Sequence, residues 1–354
     1  MMVSAPADGL FAAYRSIALR RTAILVGLGM LTVAAFLADL SAGPADLGLG
    51  DILLSLIRPD SLEPRMQIVI WQVRMPDALI ALAVGAALGL AGVETQTTLN
   101  NPLASPFTLG ISSAATLGAS FFIVLQPNPG FIGSAFLLPG FAFFFALAAA
   151  LTILSLASLQ GGSTGTVVLY GIALVFLCEA LTAGLQYVAS DDAIQQIVFW
   201  SIGNLTRAGW LEVAVVSAVF LLILPISLRD VWVLTVLRGG EDQARSAGFA
   251  IRTIRLLVML RVSVLAAVAV CFVGTIGFVG LVGPHIARML LGEDHRFLVP
   301  GACLTGAAVL SLASCLSKSV IPGAIVPVGI ITAIVGVPVF LALIAIRRGD
   351  AGWR

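Results

Sequence analysis

Residues 279–297 read VGLVGPHIARMLLGEDHRF. Both histidines of the 354-residue chain, His285 and His295, fall in this stretch beside Arg288, Glu293, Asp294 and Arg296. Two folds compete for it: a polar metal centre, or a membrane helix that breaks. Pro284 interrupts an apolar run, and a proline supplies no amide hydrogen to a helix. Gly277, Gly280 and Gly283 weaken the helix before it, and the run stops at Gly292 ahead of a polar turn. The pattern predicts a short, broken helix with His295 in the turn and His285 at membrane depth. The two rings would be about 15 Å apart along a helix, and Arg288 between them disfavours a cation. No metal site is expected, and His285 is read as a hydrogen-bonded residue at a helix start.

The rest of the chain sides with lipid. It is 59% hydrophobic and 10% charged, with a mean hydropathy of +1.08. Apolar runs recur near 22–38, 77–93, 107–125, 134–157, 166–188, 211–228, 256–276, 278–291, 298–316 and 326–346. In a bilayer such runs satisfy their backbone groups only as helices, and the short alternating segments of a membrane barrel are missing. The reading is an all-α polytopic membrane protein of about ten helices, one transmembrane domain over 1–354. Trp71, Trp200 and Trp210 stand beside span ends, where an interfacial aromatic belt belongs.

The cations set the orientation. Arg15, Arg20 and Arg21 precede the first run, Arg347, Arg348 and Arg354 follow the last, and 229–255 holds Arg229, Arg238, Arg245, Arg252 and Arg255. An even number of spans puts all three groups on one side, and the positive-inside rule makes it cytoplasmic. The expectation is a multi-pass protein with a cytoplasmic segment 1–21, a cytoplasmic loop 229–255 and both termini inside. A retained first span fits this better than a cleaved leader. The other side carries Arg58, Arg65, Arg74, Arg207 and Lys318 among Asp46, Asp51, Asp60, Glu63, Asp77, Asp191 and Asp192. With one lysine and no basic domain, nucleic-acid binding is excluded. Cys178, Cys271, Cys303 and Cys315 sit in apolar runs and read as buried thiols.

No G-x-x-x-x-G-K-[ST] motif occurs, so an active pump would need its motor on another polypeptide. One spacing repeats: Gly92, Pro102, Leu109 and Gly110 are matched by Gly274, Pro284, Leu291 and Gly292 at an offset of 182 residues. Five spans between the copies would invert the second one, as in many transporters.

Longer motifs then become recognisable. GTIGFVGLVGPHIARMLLGEDHRFLVPGACLTGA (274–307) resembles the signature of permease subunits of ABC importers for iron–siderophore complexes, haem and cobalamin. WQVRMPDALIALAVGAALGLAGVETQTTLNNPLASPFTLGISSAATLGA (71–119) is similar to that family's R-x-P, A-G-x-x-x-Q, N-P-L-A-x-P and L-G-I elements, Asn101 and Pro102 included. FWSIGNLTRAGW (199–210) and PVGIITAIVGVPVFLALI (327–344) add to the likeness, which runs in order over about 20–347. It implies ten helices, a homo- or heterodimer with a second permease subunit, two ATP-binding subunits on the cytoplasmic side, and a periplasmic or lipid-anchored binding protein. No cofactor and no bond chemistry are implied. LTVLRGGEDQARSAGFAI (234–251) resembles the family's ATPase-docking loop through Gly240, Glu241, Ala244 and Gly248, with Ala247 where leucine is usual.

Three departures stand out. Asp77 replaces a second arginine before span 2; Ser314 and Lys318 stand where an aspartate–arginine pair is usual; Val326 replaces a glutamate. In the family the outer-face arginines meet the binding protein, so Arg74, Asp77 and Lys318 are expected at its docking site, with a partner that either carries a compensating cation facing Asp77 or has lost one acidic anchor. Of two acids within spans, Glu179 is expected along the translocation path and Glu94 near water. The function the resemblance implies is translocation of an iron chelate, a ferric siderophore, across the bacterial inner membrane, with haem or cobalamin as alternatives. An ion-coupled carrier would want buried acid–base networks, for which only Glu94, Glu179, Arg261 and His285 are available. An intramembrane enzyme would want a catalytic constellation such as H-E-x-x-H.

Overall fold

A computed structural model describes residues 7–43, 48–58, 63–126, 134–159 and 164–349. Residues 1–6 of the N-terminal segment, Asp46, Asp60 and Arg354 lie outside the described residues, as do the side chains of Asp51, Glu241, Arg347 and Arg348. In chain order the helices are α1 (Ala7–Ser41), α2 (Leu49–Ile57), α3 (Pro64–Ile68), α4 (Met75–Thr98), α5 (Ile111–Leu125), α6 (Ser134–Leu159), α7 (Thr164–Val188) and α8 (Asp191–Ser201). They continue as α9 (Trp210–Arg229), α10 (Val231–Arg238), α11 (Glu241–Ser246), α12 (Ile251–Val273), α13 (Val279–Leu291), α14 (His295–Ser319) and α15 (Val328–Gly349). Among the described residues seven helices are long and apolar enough to cross a membrane, and three shorter apolar helices lie at 111–125, 279–291 and 328–342. These occupy the ten runs that hydropathy marks out.

The centre is α4. A widened π turn over Val69–Arg74 joins it to α3, just ahead of Pro76, whose missing amide hydrogen breaks the regular ladder. All residues of α4 except Leu79 and Leu82 are buried. Of its most apolar window 89% is buried, against 17% for α7 and for α9, which places α4 inside and those two at the periphery. Helices α1, α9, α12, α13 and α14 pack around it. The sequence GAALGLAG (85–92) makes this possible, because small residues let backbones meet where lipid gives no hydrophobic drive. A Cβ on Gly85 would strike the Gly306 carbonyl of α14, one on Gly89 the Ala302 carbonyl, and one on Gly92 the Gly280 carbonyl of α13. A second layer of α5, α6 and α7 joins through alanines such as Ala115, Ala119, Ala142 and Ala146, with Phe121 stacked on Phe141 at 5.9 Å.

Three expectations need revision. The first helix begins by Ala7 rather than near residue 22, so 7–21 is a helical extension of the span. The segment 229–255 is not an open loop: it folds into α10, α11 and the first turn of α12. Their apolar faces explain this, as Leu237, Ala244 and Ile251 form a small core of their own. The repeated spacing also fails to repeat local structure. Gly92 lies inside α4 and Gly274 ends α12; Pro102 sits in a turn and Pro284 inside α13. Only Gly110 and Gly292 match, each at positive φ (75° and 80°) ahead of a helix.

The tight seam gives a direct test. Gly89→Leu should lower the unfolding midpoint in detergent by the equivalent of at least about 1–3 kcal/mol of overpacking. Gly27→Leu is the control, because a Cβ there meets nothing within 4 Å. Equal midpoints for both variants would show that the α4–α14 approach is not tight.

Candidate functional site

The stretch that carries both histidines closes one end of the bundle. Asp294 caps α14 by accepting from the Arg296 amide, and His295 opens that helix with no exposed surface. It does not emerge into a polar turn, because α10 folds over it. Its Nε2 lies 2.7 Å from Thr97 Oγ1 and its Nδ1 3.2 Å from Thr235 Oγ1. Both ring nitrogens are therefore spent on hydroxyl groups. His285 is buried within α13. Arg288, one turn on, donates from Nη1 to Gln96 Oε1 at 2.9 Å and from Nε to Glu293 Oε2 at 3.1 Å. Burial alone would raise the Glu293 carboxyl, but Arg288 and Arg238 beside it outweigh that and hold it below its ordinary value of 4.5.

Glu94 is not near water: it has no exposed surface. Arg261 of α12 bonds it through Nε to Oε2 at 2.8 Å and reaches Asp230 Oδ2 at 2.5 Å. An ionised group inside a span must find a partner or face a cavity, and Glu94 and Arg261 are the acid and base of two apolar runs. That rule could have paired them from sequence. Asp230, at a helix junction, carried no such signal.

The opposite end holds a second charge cluster. Lys318 Nζ of α14 lies 2.8 Å from Asp39 Oδ1 of α1 and 3.0 Å from Asp77 Oδ2 of α4. Arg74 Nη1 donates to the last carbonyls of α1, Leu40 at 3.2 Å and Ser41 at 2.9 Å, a cation where the helix dipole wants one. Arg74, Asp77 and Lys318 are 5%, 4% and 8% exposed. They act as internal struts in this chain, whereas the docking reading expects them on the outer face. The cation that compensates Asp77 is Lys318 of the same chain.

The remaining marked residues separate by environment. Glu179 is exposed on α7 and borders a groove of about 250 Å³ with Ser112, Thr116, Thr182, Gln186 and Thr275. Asn101 Oδ1 accepts from the Leu103 amide at 2.9 Å, holding the turn that contains Pro102. Gly274 has φ +77°, and any Cβ there would strike the Trp200 carbonyl; Asn204 donates to the Val273 carbonyl at 2.7 Å beside it. In the 240–248 segment, Gly240 and Gly248 bound α11 at φ +119° and +83°. Ala244 is buried against Leu237 and Ile251, whereas Asp242, Gln243, Arg245 and Ser246 are exposed.

Residues 31–346 match the FecCD transport family. The chain belongs to that family. The hemin transport system permease protein of Yersinia pestis is 35% identical over 322 residues, 91% of this chain and 96% of the relative. The vitamin B12 import system permease protein of Salmonella typhi is 32% identical over 330 residues, 90% and 94%. A solved structure described as a metal-chelate type ABC transporter in an inward-facing conformation superposes with a TM-score of 0.80 at 31% identity, covering 92% of this chain and 99% of that one. This FecCD chain is thus a membrane-embedded, multi-pass ABC permease subunit rather than an enzyme. ATP hydrolysis belongs to a separate subunit, and permeases of this kind work with ATP-binding subunits and substrate-binding proteins. Its departures at Asp77 and Lys318 form one coherent change: the two substituted positions bind each other.

Two measurements test these ion clusters. Lys318→Met leaves two buried carboxylates facing each other and should cost about 3–5 kcal/mol in detergent unfolding, with part recovered by adding Asp77→Asn. A loss under about 1 kcal/mol would show that the lysine is not what holds α1, α4 and α14 together there. The second is pH dependence. Because the folded pKa of Glu293 is depressed, its stabilisation is complete above 4.5 and is lost as pH falls through the lower folded value. Glu293→Gln should therefore unfold earlier than the parent at pH 7, and the gap should close in acid. A gap that persists unchanged into acid would assign it to something other than the carboxylate.

Proposed function

We propose that this chain is the transmembrane subunit of an ATP-driven importer that carries an iron chelate, a ferric siderophore, across the bacterial inner membrane. It works as a homo- or heterodimer with a second permease subunit, two ATP-binding subunits on the cytoplasmic side and a periplasmic or lipid-anchored binding protein. Both termini and the α10–α11 end are cytoplasmic. The observation that carries the cargo class is the likeness to a metal-chelate type transporter over 92% of the chain. The groove beside Glu179 mixes apolar wall with the hydroxyl groups of Ser112, Thr116, Thr182 and Thr275 and the amide of Gln186, which would give a load with a hydrogen-bonding periphery partners along its way. Relatives named for hemin and vitamin B12 keep those two cargoes as rivals. Uptake of labelled ferric siderophore, haem and cobalamin by the reconstituted complex decides among them, and accumulation of haem or cobalamin alone would overturn the siderophore reading.

The 240–248 segment is the ATPase contact in this reading. Gly240 and Gly248 shape it, Ala244 holds it to the bundle from inside, and Glu241 belongs to the presented turn of α11. Ser246→Trp, on its exposed side, should cut ATP-driven uptake at least about fivefold while leaving membrane insertion and the unfolding midpoint unchanged. Unaltered uptake would place the contact elsewhere.

A further inference from the structure

Helix α10 is tied to the last turns of α4 three times, and each tie passes through a different helix. At its start, Asp230 accepts from Arg261 of α12 at 2.5 Å, and Arg261 donates to Glu94 at 2.8 Å. At its middle, Thr235 lies 3.2 Å from one nitrogen of His295, at the head of α14, and the other nitrogen lies 2.7 Å from Thr97. At its end, Arg238 grips both oxygens of Glu293 at 3.3 Å; Glu293 accepts from Arg288 of α13 at 3.1 Å, and Arg288 donates to Gln96 at 2.9 Å. The three ties begin along a helix about 12 Å long and converge on Glu94, Gln96 and Thr97.

From this geometry we propose that α10 is a lever and the 94–97 turn of α4 its receiver, with Asp230, Thr235 and Arg238 as positioning residues for energy transfer. The inference rests on the reading of α11 as the ATPase contact, since α11 begins three residues after Arg238. Apolar side chains slide past one another at little cost. A hydrogen-bonded relay has a preferred geometry and resists displacement, most strongly where it is buried, as at Glu94–Arg261 and Thr97–His295; the Arg238–Glu293 link, with Glu293 46% exposed, is the weakest of the three. Three such relays fix the translation and the rotation of α10 relative to α4 together, which one relay would not do. The receiver is also well placed. Buried almost completely, α4 continues through the π turn and α3 to residue 64, so a push at its 94–97 turn reaches the far end of the bundle.

The test uses the complete complex with its ATPase, carrying spin labels at Gln72, on the far extension of α4, and at Tyr187, on exposed α7. Trapping with ATP and vanadate should change the distance between the labels in the unmodified protein. In the triple variant Asp230→Asn, Thr235→Val, Arg238→Gln, hydrolysis should continue at no less than about half its rate while the distance change disappears, a loss of coupling within the range of allosteric effects. Thr235→Val alone should reduce the change and Thr235→Ser, which keeps the hydroxyl, should restore it. A triple variant that still shifts like the parent overturns the proposal. So does loss of the shift only together with ATPase binding and thermal midpoint, because that outcome is structural. If the unmodified complex itself fails to bind the ATPase or to shift, the fault lies in the functional reading beneath.

Discussion

A helix buried on nearly every side must offer its neighbours somewhere to go, and α4 does so by carrying glycine or alanine at most positions of its middle turns. Gly85, Gly89 and Gly92 let carbonyl groups of α13 and α14 approach where any Cβ would collide. Close backbone approach replaces the hydrophobic drive that lipid removes. Because the middle of α4 is packed this tightly, its two ends are held at fixed positions against three or more other helices. Charged residues can then be buried at those ends with matched partners, which would be costly in a looser bundle.

The two ends use that opportunity differently. At one, Lys318 with Asp39 and Asp77 joins α1, α4 and α14 directly, a compact cluster around a single cation. At the other, α12, α13 and α14 bond α4 directly through Arg261, Arg288 and His295, and α10 reaches α4 through them. A direct cluster fixes helices to one another. A set of relays joins an outlying helix to the core while leaving that helix on the surface, where another subunit can find it.

The seven long helices and three shorter apolar ones were legible because each follows an apolar run, and lipid leaves such runs no alternative to helix. The family was legible because long motifs, not single glycines, carry it. Side-chain partnerships were much less so. His295 looked like a turn residue since the sequence does not reveal that α10 folds back over it. Arg74, Asp77 and Lys318 read as outer-face charges because they lie at span ends; that α1 brings Asp39 and its own carbonyls to them is a tertiary fact. The spacing match at an offset of 182 residues shows the converse error. Gly92 and Gly274 are both required, one for a close helix crossing and the other for a left-handed turn, and identical letters concealed different physics.

Lys318 is the only lysine in the chain, and its side chain is 4% exposed. The folded protein consequently offers no accessible side-chain amine among its described residues. Reagents that acylate amines have one side-chain target, and they reach it only when α1, α4 and α14 part at that end. The rate at which that single nitrogen is modified is a clock for the opening of that end of the subunit, present in the natural sequence without any engineered label.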